Sequence, residues 1–129
     1  MFKPTLTEPL IAVVDDDFSV LKSLVRLLRS AGYSVESYAS PQECLGSWGT
    51  SLPQCYVIDV QMPEMSGFEL IAQLRQKGCQ SPAIFITAHD SSQARAWASQ
   101  SGTAKLLLKP FEGTDLLSAV SKIVQPLET

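Results

Sequence analysis

Apolar runs and amphipathic windows alternate five times along this chain, and that alternation narrows the folds open to it. LIAVV (10–14), YSVESY (33–38), CYVIDV (55–60), PAIFIT (82–87) and KLLL (105–108) read as strands. After the first run, Leu21, Leu24, Val25 and Leu28 recur at helical period, and Gly32 stands where a helix C-terminal glycine belongs. SPQE (40–43) opens a second helix, with Ser40 as cap, Pro41 at the first helical position and Glu43 completing a capping box. SGFE (66–69) is another capping box, followed by Leu70, Ile71 and Leu74 on one face. The window 91–101, rich in Ala, Gln and Ser, makes the weakest helix. TDLLSAVSKIV (114–124) makes the last helix, capped by Thr114 or its neighbour and stopped by Pro126. Regular alternation of this kind predicts an α/β fold: a doubly wound parallel five-stranded sheet with helices on both faces and right-handed crossovers. The strand orders open to it include the flavodoxin-like 2-1-3-4-5, with YSVESY at an edge.

At 129 residues, with 45% apolar and 18% charged, the chain suits one domain with an ordinary core. The net charge of −3 argues against direct nucleic-acid contact, which needs a basic footprint. No apolar run reaches the roughly 20 residues that span a bilayer, so no membrane contact is expected. MFKPTLTEPL lacks the apolar core of a signal peptide, which predicts a cytoplasmic location. Cys44, Cys55 and Cys79 lack CxxC spacing and read as buried thiols in a reducing compartment. A single histidine, His89, excludes a histidine-based metal cluster.

Open parallel sheets bind ligands beyond the carboxyl ends of their strands. The first polar residues after each apolar run are therefore the ones to examine. The first strand runs into Asp15, Asp16 and Asp17, the third into Asp59, the fourth into Thr87 and the fifth into Lys109. Carboxylates from neighbouring strands suit a hard divalent cation such as Mg²⁺, which takes its remaining ligands from water and phosphate. An ammonium and a hydroxyl are then left to meet an anion, and a phosphoryl group is the anion that fits beside Mg²⁺. Asp59 can attack phosphorus as a carboxylate nucleophile. Lys109 and the metal would spread the charge on the phosphoryl oxygens while Thr87 donates a hydrogen bond. Asp17, nearer the first helix, reads as its N-cap.

VVDDD (13–17), VIDVQMPEMSGFEL (57–70), FITAH (85–89) and LLLKPF (106–111) together resemble the receiver domain of two-component response regulators. The resemblance covers residues 9–125, leaving 1–8 as an extension and 126–129 as a tail or the start of a linker. It implies a phosphoacceptor signalling domain, not an enzyme acting on a separate substrate. Asp59 matches the phosphoacceptor, and Asp16 and Asp59 match direct Mg²⁺ ligands. Asp15 matches a ligand acting largely through water, and the backbone carbonyl of Gln61 the remaining protein ligand. Thr87 and Lys109 match the phosphoryl-binding hydroxyl and ammonium, and the Lys109–Pro110 bond is usually cis in the family. The implied donor is a phosphohistidine on a sensor histidine kinase or phosphotransfer protein. The implied output surface, built by the fourth helix, fifth strand and fifth helix, would serve a downstream protein, an output domain or a homodimer. Leu106 departs from the pattern: the switch position three residues before the lysine usually carries an aromatic residue. A leucine offers no ring to swing, which argues against the usual aromatic switch. Gln61 and His89, two residues after Asp59 and Thr87, match positions that tune how water reaches the acyl phosphate.

Taken singly, these residues have plainer readings: Asp15 to Asp17 as a solvated helix start, Asp59 as a turn residue, Thr87 as a strand-end hydroxyl, Lys109 as a surface charge. Their joint placement at four strand ends is what those readings leave unexplained. Trp48 and Trp97 read as packing residues. The competing functional reading is a degenerate receiver that acts as a phosphorylation-independent interaction module. A small-molecule phosphatase of the haloacid-dehalogenase type would want a second acid where Gln61 stands. A nucleotide or flavin binder would want glycines or hydroxyls where the aspartates stand. The terminal QPLET suits the start of a linker, so a stand-alone receiver and a piece of a longer regulator both remain open.

Overall fold

The computed structural model describes residues 9–100 and 104–124. The extension at 1–8, residue 125 at the end of the domain, the tail at 126–129 with Pro126, and residue 101 of the fourth helical window lie outside the described residues. Strands and helices alternate strictly: β1 (Leu10–Val14), α1 (Phe18–Ser30), β2 (Ser34–Tyr38), α2 (Pro41–Gly46), β3 (Cys55–Asp59), α3 (Gly67–Gln76), β4 (Ala83–Thr87), α4 (Ser92–Gln100), β5 (Ala104–Leu108) and α5 (Gly113–Ile123). The five strands are parallel and ordered β2-β1-β3-β4-β5, the flavodoxin-like order, with β2 at one edge.

The sheet is apolar on both faces because successive side chains of a strand point to opposite sides. Ile11 and Val13 of β1 join Leu21, Leu24 and Leu28 of α1 and Leu116, Ala119 and Val120 of α5 in one cluster. Ala12 and Val14 join Leu70, Ile71 and Leu74 of α3, together with Ala94 and Ala98 of α4, in the other. Val25, the fourth residue of the apolar face expected for α1, is only half-buried. Cys44, Cys55 and Cys79 are free and buried. Burial pushes the Cys44 and Cys55 thiols up to about 12, which leaves them inert small apolar groups. Trp48 packs half-buried against the α3 side, and Trp97 stacks on Phe68 with centroids 5.6 Å apart, so both pack as expected.

The helix ends follow local chemistry, with two corrections. Asp17 caps α1, accepting from the amides of Ser19 and Val20 at 3.0 and 3.2 Å, and Gly32 leaves the helix at φ 97°. Ser66 and Glu69 form the reciprocal capping box of α3. In α2, Ser40 caps as expected, but the Glu43 carboxylate accepts from the Ala39 amide, one residue before the cap. The expected capping box is therefore open by one residue. For α5 the N-cap is Glu112, not Thr114 or a neighbour of it. The helix starts at Gly113, and Asp115 accepts from the Glu112 amide at 3.1 Å.

Candidate functional site

The carboxyl ends of β1, β3, β4 and β5 bring the singled-out side chains to one edge of the sheet. β1 delivers Asp15 with its backbone still in the ladder, its amide donating to the Tyr38 carbonyl at 3.1 Å. Asp15 is 1% exposed and Asp59, the last residue of β3, is 4% exposed, whereas Asp16 is exposed. Carboxylate oxygens of Asp15, Asp16 and Asp59 lie within 4.8 Å of one another. Three acids converge here, and the Lys109 ammonium stands 3.3 Å from Asp59 Oδ1. Lys109 follows β5, its amide donating to the Thr87 carbonyl at 2.8 Å, and the Lys109–Pro110 peptide bond is cis.

A close approach of backbone seats Asp59. The Gly67 amide, at the start of α3, donates to the Val60 carbonyl at 3.0 Å. A Cβ on Gly67 would lie 2.5 Å from the Asp59 carbonyl oxygen and 2.7 Å from Ile58 Cγ2. Only glycine lets α3 begin this tightly against the end of β3.

The electrostatics are unfavourable as they stand. Asp15 Oδ1 accepts from the Asp17 amide at 2.9 Å, but Asp15 Oδ2 and Asp59 Oδ1 are buried with no hydrogen-bond donor among the described residues. Lys109 supplies Asp59 with a long ion-pair contact, at 3.3 Å. Burial pushes the Asp15 carboxyl up to about 6, the Asp17 amide opposing it and the Asp59 charge adding to it. Burial also raises Asp59, against the pull of the Lys109 ammonium. Crowded, buried carboxylates with one Asp15 oxygen left without a donor are what a cation would relieve, and an all-oxygen donor set suits a hard divalent ion.

Thr87 is fully buried and its hydroxyl is engaged by Gln61, whose side-chain amide donates from Nε2 at 2.8 Å. The Thr87 hydroxyl also accepts from the His89 amide at 3.0 Å. The sequence placed Gln61 and His89 at the mouth of the site and gave Gln61 a metal-ligand role through its backbone carbonyl, with no role for its side chain on Thr87. The bond between Gln61 and Thr87 joins residues 26 apart in sequence and arises from the pairing of β3 with β4, so no local pattern could reveal it. His89 is exposed. Leu106 is half-buried and packs against the α3-side cluster.

Comparison with known proteins agrees with this geometry. The family model for the response regulator receiver domain matches residues 11–121. Response regulator protein TodT of Pseudomonas putida is 39% identical over 110 residues, covering 85% of this chain and 48% of that protein. The chain spans about half the length of the curated relatives it matches. The chemotaxis protein CheY4 of Vibrio cholerae superimposes with a TM-score of 0.85 at 27% identity, covering 92% of this chain and 100% of that one. Response regulator TrrA of Thermotoga maritima, solved in complex with Mg²⁺-BeF, gives a TM-score of 0.78 at 26% identity, covering 90% of this chain and 99% of that one. The chain belongs to the response regulator receiver domain family, a signalling domain of two-component systems.

Proposed function

We propose that this receiver domain accepts a phosphoryl group on Asp59 from a phosphohistidine of a sensor histidine kinase or phosphotransfer protein, with Mg²⁺ held in the acid cluster. The observation that carries the reading is the buried Asp59 carboxylate, ion-paired to Lys109 at 3.3 Å and within 4.8 Å of two further acids. Asp59 attacks phosphorus and the P–N bond to the donor imidazole breaks as the new P–O bond forms. The imidazole leaves with the electron pair, and an acyl phosphate remains. Lys109 neutralises charge on the phosphoryl oxygens, and the Thr87 hydroxyl would donate to one of them. Asp16, Asp59 and the Gln61 carbonyl would hold Mg²⁺ directly, with Asp15 acting largely through water. When bound, the ion would neutralise the acids and the charge of the transferred group. Asp15 would orient that shell, since one of its oxygens is fixed by the Asp17 amide while the other is unengaged.

The domain on this reading acts on no separate substrate; it promotes only its own phosphorylation and dephosphorylation. Output passes through the face of α4, β5 and α5 to a downstream protein, an attached output domain or a second copy. The domain spans 9–125 and works in the cytoplasm; no helix among the described residues is long and apolar enough to cross a membrane. Leu106 in place of an aromatic residue favours one second reading, an interaction module that has kept the site without the switch. Intact-mass spectrometry after incubation with acetyl phosphate and Mg²⁺ separates the two. The switch reading predicts a single phosphoryl addition in wild type and none in Asp59→Asn. No addition to folded wild type, from acetyl phosphate or from a phosphorylated kinase, would leave the module.

A further inference from the structure

The Thr87 hydroxyl has no spare hydrogen-bonding capacity. A hydroxyl offers one proton and two lone pairs. Gln61 Nε2 donates to Oγ1 at 2.8 Å and the His89 amide at 3.0 Å, which fills both lone pairs. Its proton has the Gln61 Oε1 acceptor at 3.1 Å and the His89 carbonyl at 3.3 Å. Gln61 Oε1 is in turn 3.4 Å from the Ala88 amide. The two ends of one carboxamide therefore clasp one hydroxyl, and either orientation of the amide preserves the clasp. The partners are unequal in exposure. Gln61 is exposed and regains water when it lets go, whereas Thr87 is fully buried and cannot. A released Thr87 needs a new acceptor inside the site, and an anion on Asp59 is one.

We propose that the Gln61 side chain is a latch on Thr87: a positioning residue that occupies the hydroxyl in the unphosphorylated domain and must be displaced when Thr87 engages a phosphoryl group on Asp59. This rests on the phosphoryl-acceptor reading above. It assigns Gln61 a thermodynamic role, distinct from screening the acyl phosphate from water. It also gives the domain a movable element that does not involve Leu106, which is held in the apolar packing of the α3 side.

Binding of beryllofluoride with Mg²⁺ tests the latch without any hydrolysis step. Gln61→Met keeps the length and bulk of the side chain at the mouth but removes the carboxamide. Loss of one competing hydrogen bond should tighten beryllofluoride binding by roughly two- to tenfold. The gain should vanish in a Thr87→Ala background and survive in Thr87→Ser, with melting temperatures showing each variant folded. Equal or weaker binding by Gln61→Met than by wild type overturns the latch, as does a gain that persists without the Thr87 hydroxyl. Failure of folded wild type and Gln61→Met alike to bind beryllofluoride overturns the phosphoryl site itself, and the latch with it.

Discussion

Leu74 and Asp15 are equally hidden, at 0% and 1% exposure, and they do opposite things for the fold. Leu74 sits in a cluster where its neighbours on α3, β3 and β4 are apolar and close-packed. Asp15 sits at the end of β1 with one oxygen capped by an amide and the other unengaged, beside two further acids. Burial stabilises the first by excluding water from hydrocarbon. It destabilises the second by stripping water from a charge. The contrast shows where stability has been given up: at the carboxyl edge of β1 and β3, which is the edge where the proposed function puts the phosphoryl group.

The comparison can be broken from either side. The largest expected effect is in the core. Leu74→Ala should cost about 2–5 kcal/mol in chemical denaturation, with Mg²⁺ response retained. A loss well under that range would mean the α3 side is loosely packed. Next comes Asp15. Its folded carboxyl is raised to about 6 from 3.8, so between those values the metal-free folded state binds more protons than the unfolded chain. Metal-free stability should therefore fall as pH rises through that window and stay lower above it. Asp15→Asn should remove this dependence and raise metal-free stability at pH 7.5 by on the order of 3 kcal/mol at most. Denaturation in EDTA at pH 5 and pH 7.5 reads it. A wild type that gains stability on going to the higher pH, relative to Asp15→Asn, would show the carboxylate to be satisfied. The smallest effect is one position from the pocket proper. Asp17 is exposed and serves the helix, so Asp17→Ala should cost about 1 kcal/mol and leave Mg²⁺ binding largely intact. Loss of metal binding in that variant would move Asp17 from the cap into the site.

The same contrast explains what could be read without coordinates. The core was legible because unbroken apolar runs in the strands and period 3.6 in the helices are written locally, as in LIAVV, whose Ile11 and Val13 join one cluster and Ala12 and Val14 the other. Asp15, Asp16, Asp59, Thr87 and Lys109 were legible as a group because a parallel sheet collects the residues that follow its strands at one edge. Two kinds of information were not. Asp17 as cap of α1 followed from its place, but the cap of α5 did not. Glu112 is a weaker capping residue than Thr114, yet α5 starts at Gly113. The clasp of Gln61 on Thr87 and the need for glycine at 67 were also hidden. Both depend on side chains or backbone meeting across elements, at distances that a one-dimensional pattern does not carry.

The central claim is that the acids at the ends of β1 and β3 are left unsatisfied in order to hold a cation. Thermal melts of wild type and Asp16→Ala, with EDTA and with millimolar Mg²⁺, test it most directly. A ligand that binds only the folded state raises its melting temperature. The account predicts a rise with Mg²⁺ in wild type that is abolished in Asp16→Ala, whose metal-free melting temperature should equal or exceed that of wild type. A wild-type melting temperature indifferent to Mg²⁺ would contradict the metal assignment, and a rise that survives in Asp16→Ala would take Asp16 out of the site.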